Sequence, residues 1–396
     1  MDSGNPAFLA IDFFCGAGGT TRGLIDAGGY VLAGVDKADG CDRTYEANNV
    51  NRHLDRASAV YVKRDIFPKS DGYPEGEQDD LFRDLIALYE DKMNQTKAPL
   101  LLSICAPCQP FTRLTQIEMT EERSKGRERD QGLLAQTLPF VDQFEPEMIL
   151  CENVAGIQKD KYGGVWQAFD AALRDMDYVT GSAIVNAAKF GVPQNRKRSI
   201  MLAVKRASLR DGSIEGIAVP DHDPKAGKAT VRSAIGHLPP IGAGDRHPTI
   251  SNHQAAGLTD INRRRLEAVA PGGNNHVFSG TDLELECHRK MREKEKAGSR
   301  PDYTAGFSDV YCRMAPDEPA PAITTKFFAS SCGRYGHYDP AQVRAISIRE
   351  GAALQSFPDD YVFHGGSIQR DAKMVGNAVP PKLSEFFARH LLSLVA

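Results

Sequence analysis

The sequence predicts an α/β fold, a doubly wound and mostly parallel sheet with a smaller loop-rich module set late in the chain. Three observations carry this. Apolar runs of strand length alternate with helically spaced segments through roughly the first half of the chain. The first run empties into a glycine-rich turn and the second ends on an acid, the opening of a nucleotide-type βαβ unit. From about Arg206 onward, prolines break the pattern.

The strand Phe8–Phe14 runs into Cys15-Gly16-Ala17-Gly18-Gly19, after which Thr20-Thr21 is expected to cap a helix reaching Ala27. Tyr30–Val35 is a second strand, ending at Asp36. Helical spacing follows around Arg43–Asn49, then a short strand at Val60-Tyr61-Val62 ahead of Asp65-Ile66. The alternation continues with helices near Asp79–Lys92, Leu133–Gln143 and Val165–Met176. Its strands are Leu100–Ile104, Met148–Cys151 leading into Glu152, Tyr178–Val185 and Ser199–Val204. Beyond Arg206, Pro220, Pro224, Pro239-Pro240, Pro271-Gly272-Gly273, Pro316, Pro319 and Pro321 interrupt everything except the charged stretch Leu283–Lys296. Ser347–Gln355 is again helical, and Val379-Pro380-Pro381 introduces a last amphipathic helix, Leu383–Leu394. The expected division is residues 1–205 as one α/β domain, 206–339 as a separate module, and 340–396 returning to the first domain.

A chain of 396 residues can hold two domains, or one large domain with an insertion. Its 41% hydrophobic and 25% charged residues are those of a globular protein and exclude a disordered or fibrous one. A formal net charge of -4 argues against a small, wholly basic nucleic-acid-binding module. It leaves room for a DNA enzyme with a basic cleft, since Arg and Lys cluster at Arg123–Arg129, Arg196–Arg198, Arg263–Arg265 and Arg289–Lys296. Each cluster alone reads first as a solvated face. The start at Met1 has no secretory pattern, and no run approaches the roughly 20 apolar residues of a membrane span. Eight scattered cysteines without a compact framework suit a reducing, cytoplasmic compartment and no membrane.

Cys108 follows Pro107 at the end of the apolar run Leu100–Cys105, which makes it a candidate nucleophile delivered to a strand's carboxyl edge. Cys105-Ala106-Pro107-Cys108 also spells C-x-x-C. A zinc site would need two further ligands at suitable spacing, which the sequence does not supply, so no metal is expected. A thioredoxin-like site would place its second cysteine inside a helix, which Pro110 obstructs. A merely buried cysteine remains the plain alternative. The Gly16–Gly19 turn lacks the full G-x-G-x-x-G spacing, so a nucleoside-type cofactor is favoured over a dinucleotide. Asp36 is then placed for ribose hydroxyls, and Asp65 and Ile66 for a base. A tight turn without a ligand is the alternative there. Glu152 should face the same crevice as Cys108, where burial would favour a proton on it, unless it is only a loop carboxylate. Arg196 and Arg198 are expected on one face of an extended segment, suited to phosphate or carbonyl oxygens or to orienting Glu152.

Six blocks stand in order: Phe14-Cys15-Gly16-Ala17-Gly18-Gly19, Pro107-Cys108-Gln109, Glu152-Asn153-Val154, Gln194-Asn195-Arg196-Lys197-Arg198, Arg349–Pro358 and Gly376-Asn377-Ala378-Val379-Pro380-Pro381. This series resembles the DNA (cytosine-5) methyltransferase family. The resemblance implies a class I S-adenosylmethionine-dependent methyltransferase sheet, with the 206–339 module as a target-recognition domain. It implies S-adenosylmethionine as cofactor, with Phe14 against the adenine, Gly16 and Gly18 at the methionine end, and Asp36 at the ribose. Asp65 and Ile66 would lie at the base, Pro107 beside them, and Asn377 and Val379 closing the pocket. It further implies Cys108 as nucleophile, Glu152 at N3 and the amino group of an extruded cytosine, Arg198 at O2 with Arg196 beside it, and Arg113–Gly132 as a mobile catalytic loop.

The implied substrate is double-stranded DNA of specific sequence, and the implied setting is a restriction-modification or other defence system. The partner would be a cognate restriction endonuclease. The enzyme would be monomeric and, if bacterial, nucleoid-associated. The chain departs from the family pattern at Asp36, where Glu is commoner, and at Lys37, where an apolar side chain often covers the adenine. It departs also at Lys189, Gln131 and Thr112. Two other functions stay open: tRNA cytosine-5 methylation, and a DNA-binding regulator without turnover. Gln194 in its Gln-x-Arg-x-Arg setting favours the DNA branch over the tRNA one.

Overall fold

The computed structural model describes residues 4–107, 132–158, 160–296 and 308–396. Its strands are β1 (Phe8–Phe13), β2 (Gly29–Asp36), β3 (Val60–Lys63), β4 (Leu100–Ile104), β5 (Met148–Val154), β6 (Tyr178–Asn186), β7 (Gln194–Asn195), β8 (Lys197–Lys205) and β9 (Ala320–Pro321). Seven of them form one sheet in the order β3-β2-β1-β4-β5-β8-β6. β1 to β5 pair in parallel, and β8 alone is reversed, antiparallel to both β5 and β6. This is the mostly parallel sheet that the alternation of elements predicts.

Central strands covered on both faces are largely apolar, and every residue of β1 and β4 is buried, the polar Asp12 and Ser103 included. The register brings the strand ends level: Phe13 lies opposite Val35 and Ile104, Asp36 opposite Lys63, and Ile104 opposite Cys151. The loops that follow β1, β2, β3 and β4 therefore leave from one edge, where ligands of open α/β sheets bind.

The first helix, α1 (Gly19–Asp26), begins on Gly18, whose φ of 89° needs a residue without a Cβ. No side chain caps it. Thr20 and Thr21, expected as caps, lie buried within the helix, and Thr21 Oγ1 sits 2.7 Å from Asp12 Oδ2 and 3.0 Å from the Tyr45 hydroxyl. Gly23 is what lets α1 approach the helix Pro381–Leu394. A Cβ there would run into Ser384 Oγ and the Pro381 carbonyl, with the Glu385 amide nitrogen 2.8 Å away.

Two compact units emerge. The first holds the described residues up to Gly191 with Lys197–Ala226 and Ala378–Ala396; the second holds Val192–Arg196 and the described residues from Gly227 to Asn377. These bounds differ from the sequence division at 205/206 and 339/340. Residues 340–377 join the second unit because their polar groups are satisfied within it. Arg344 makes two charge-assisted bonds, 2.6 and 2.7 Å, to Glu350, which also closes a capping box with Ser347. Gln355 Nε2 donates to the Val375 carbonyl at 2.7 Å.

With so much proline the second unit has little strand pairing, β7 with β9 being its two-stranded sheet. Buried guanidinium groups take over that work: Arg313 donates to the carbonyls of Leu266, His337, Asp339 and Gln342. The unit is also more helical than its sequence suggests. Val231–Ile235, capped by Thr230, and Asp260–Ala268 and Ile368–Asn377 join the expected helices Glu286–Lys296 and Ile348–Leu354. Asp260–Ala268 escapes notice because Leu266 is its one buried residue, which leaves no apolar period to read.

Gly23→Ala separates helix propensity from packing. Ala should gain about 0.5–1 kcal/mol from propensity, but forcing a Cβ against backbone should cost about 1–3 kcal/mol. Urea unfolding is expected to give a net loss of stability.

Candidate active site

Phe14, the residue after β1, adopts φ 62°, a left-handed conformation that costs a bulky residue about 1–2 kcal/mol. Two bonds to one acceptor hold it there: the amides of Phe14 and Cys15 donate to the Val35 carbonyl at 2.7 and 3.2 Å. Strain sustained like this marks a functional turn. The next glycine, Gly16, has φ 52° and open space where its Cβ would stand, and its amide donates to Asp36 Oδ2 at 2.9 Å. Asp36 Oδ1 accepts from the Ala38 amide at 2.8 Å. Burial pushes the Asp36 carboxyl up, and those amides and the neighbouring Lys37 work against it.

One strand further along the edge, Asp65 is buried, with Oδ1 accepting from the Phe67 amide at 3.0 Å. Its Oδ2 takes the Tyr73 hydroxyl at 2.6 Å and Lys37 Nζ at 3.3 Å. Burial acts to raise this carboxyl, but these three donors outweigh it and hold it below the usual range. Ile66 beside it is buried, and Phe14 packs against the same core. Open backbone at Gly16 suits the methionine end of S-adenosylmethionine, while a carboxylate at Asp36 with acceptor capacity left and a polar and apolar pair at Asp65 and Ile66 fit its nucleoside end.

The second half of the site lies around β4 and β5. Pro107 is exposed, and Cys108 lies outside the described residues, as do Thr112, Gln131 and the loop from Arg113 except Gly132. The approach to Cys108 is described, however. Asn153 Nδ2 donates to the Ala106 carbonyl at 3.1 Å, clipping the chain two residues before the cysteine to the end of β5. The sequence reading did not single Asn153 out as a site residue, although its place between Glu152 and Val154 in a motif was the available signal. Cys105, the first cysteine of C-x-x-C, has its thiol pushed well up, by burial first and then by the charges of Glu152 and Asp12. It stays protonated and offers no thiolate for redox exchange.

Glu152 is buried and pairs with Arg198, Nε to Oε1 at 2.7 Å. Reversed β8 makes this possible, since Val154 lies opposite Arg198 and Glu152 opposite Ile200. Arg196 does not share that face. Its guanidinium is buried and donates to the carbonyls of Ile323 at 2.9 Å and Gly376 at 3.1 Å, within the second unit. Asn377 is exposed at the end of its helix in the second unit, and Val379 is buried in the first. Among the described residues no group of three His, Cys, Asp or Glu is placed to hold a metal ion.

Arg123–Arg129 lies outside the described residues, and the clusters at Arg263–Arg265 and Arg289–Lys296 are largely paired. Arg264 pairs with Asp282, Arg289 with Glu286 and Arg292 with Glu284, while Arg265 lies 4.8 Å from the Tyr311 ring centre. No helix is long and apolar enough to cross a membrane among the described residues.

Residues 78–393 match a family profile described as C-5 cytosine-specific DNA methylase. The chain belongs to that family. It is 34% identical over 384 residues to the Type II methylase M.HgiDII of Herpetosiphon aurantiacus, covering 96% of this chain and 94% of the relative. It is 29% identical to the Type II methyltransferase M1.HphI of Haemophilus parahaemolyticus, over 97% of this chain and 86% of that one. Among solved structures, a prophage-encoded DNA modification methyltransferase of E. coli shares the fold, with a TM-score of 0.65, 19% identity, and 98% and 99% of the two chains covered. As a family member the protein is an S-adenosylmethionine-dependent enzyme that binds DNA and methylates C5 of cytosine.

Two predictions follow from the buried acids of this methylase. Arg198→Met should strand Glu152 unpaired and cost about 3–5 kcal/mol in urea unfolding. In the Glu152→Gln background the same change should cost markedly less, a coupling that a double-mutant cycle reads directly. Asp12, fully buried on β1, has its carboxyl pushed up to about 7, by burial against the bonds from Thr21 and Ser103. A raised acid binds its proton in the folded state first. Its favourable contribution is therefore complete below the unfolded pKa near 4 and is lost as pH rises towards 7. Asp12→Asn should flatten that part of the stability-versus-pH curve, measured by denaturation at pH 4 to 8.

Proposed function

We propose that this methylase acts on a cytosine extruded from a specific double-stranded DNA sequence through a covalent Cys108–C6 adduct. The reading is supported above all by the Glu152–Arg198 pair, held beside the strand that leads into Pro107-Cys108. Bound S-adenosylmethionine supplies an electrophilic sulfonium methyl group. C5 of cytosine is a poor nucleophile toward it. The Cys108 thiolate adds to C6 while Glu152 engages N3 and the amino group and Arg198 engages O2, so that ring electrons are pushed to C5. After C5 has been methylated, a base removes the C5 proton and the C6–S bond breaks, returning the thiolate. No side chain is assigned as that base; an ordered water suffices. Extrusion of the base costs a few kcal/mol, offset by contacts in the pocket.

In this proposal Phe14 lies against the adenine, Gly16 and Gly18 line the methionine end, and Asp36 binds the ribose. Asp65, Ile66 and Pro107 border the base, and Val379 completes the pocket. Arg196 acts by holding the Val192–Arg196 segment rather than by touching the cytosine, because its donors are already given to carbonyls. Residues 206–339 carry sequence recognition. The Type II names of the relatives suggest a cognate restriction endonuclease. We take the enzyme to be monomeric, cytoplasmic and, if bacterial, nucleoid-associated.

Cys108→Ser should abolish tritiated-methyl transfer to DNA while S-adenosylmethionine binding by calorimetry persists; turnover in that variant would overturn the mechanism. DNA carrying 5-fluorocytosine, whose C5 has no proton to lose, should trap a denaturation-stable adduct with the native enzyme and none with the variant. The same tritium assay on total tRNA should give no incorporation.

A further inference from the structure

Lys37 stands at the functional edge of the sheet, beside two of its acids. It follows Asp36 in sequence, and its ammonium lies 3.3 Å from Asp65 Oδ2. The pair spans the boundary between solvent and interior, the Lys37 side chain being 47% exposed and that of Asp65 10%. A carboxylate at a partly dry edge favours its proton unless hydrogen-bond donors or a cation answer it. The other groups around the two acids do not supply a cation. Asp36 feels Asp12, Cys15 and Tyr61, none of them cationic, and Lys63, opposite it in the register, is paired with Asp39. Asp65 meets the Tyr73 hydroxyl, and its own amide donates to Glu77, whose charge is already answered by Arg64.

We propose that Lys37 is a positioning residue for cofactor binding, an ammonium bridge to Asp65 that orients its carboxylate at the nucleoside end of the site. The burial that raises Asp36 is opposed in part by the Lys37 charge, and the low Asp65 carboxyl owes part of its position to the same group. In this chain, then, the position beside the adenine contributes electrostatics as well as cover. Because the bridge acts at the nucleoside end, it serves methylated and demethylated cofactor alike. The inference rests on the assignment of Asp36 and Asp65 to the cofactor.

The test is calorimetric binding of S-adenosylmethionine and S-adenosylhomocysteine to the full chain from pH 5 to 8, for the native protein, Lys37→Met and Lys37→Arg. Lys37→Met should weaken both ligands about tenfold. It should also move the acid limb of binding to higher pH, since carboxylates without a cation take up protons sooner. Carboxyl carbon-13 NMR of the ligand-free protein should show Asp36 and Asp65 titrating higher in that variant. Lys37→Arg should restore both affinity and limb. An unmoved acid limb in Lys37→Met, or an Arg variant as weak as the Met one, would overturn the bridge. Undiminished binding by Asp36→Ala would remove the site assignment beneath it.

Discussion

Carboxylates carried to the edge of a buried sheet lose water, and the functional edge of this protein is organised by how each one is compensated. Asp36 is met by the amides of Gly16 and Ala38. Asp65 is met by a hydroxyl, an amide and an ammonium, and Glu152 by a guanidinium. The three devices differ in kind. Amides fix direction and couple the acid to the turn that donates them, so Asp36 and the Gly16 loop form one rigid piece. A guanidinium brings full charge, which a buried carboxylate requires if it is to stay in place. Asp12, deeper in β1, has hydroxyls and no cation, and it holds a proton to near neutrality.

Strand direction decides whether such compensation is possible at Glu152. Glu152 lies towards the end of β5 and Arg198 near the start of β8, so only an antiparallel neighbour brings the two level. A parallel β8 would have sent its first residues to the opposite edge. The single reversed strand of the sheet is thus tied to the site's chemistry, and Asn153 in the same stretch of β5 clips the backbone ahead of Cys108.

Much of this was legible in the sequence, for a local reason. Strands covered on both faces are nearly continuous apolar runs, and β1, β2, β4 and β5 announced themselves that way, together with the acids at their ends. The second unit was harder to read. Its core rests on arginines donating to carbonyls far along the chain, such as Arg313 to Leu266 and His337, and such bonds leave no periodic trace. For the same reason residues 340–377 read as a return to the first domain, when Arg344 pairs with Glu350 and Gln355 with the Val375 carbonyl within the second.

By itself the sequence determined the order of the elements, the glycine turn after β1, and which side chains stand at the carboxyl ends of the strands. These follow from steric rules and burial patterns that act over a few residues. The tertiary structure decided which partner each polar group would take. It sent Arg198 to Glu152 and its near neighbour Arg196 to the backbone carbonyls of Ile323 and Gly376, drew Thr21 inward to Asp12 instead of leaving it as a cap, and set Lys37 on Asp65. Each choice joins groups distant in sequence, and desolvation, which selects the partner, exists only once the chain has closed around them.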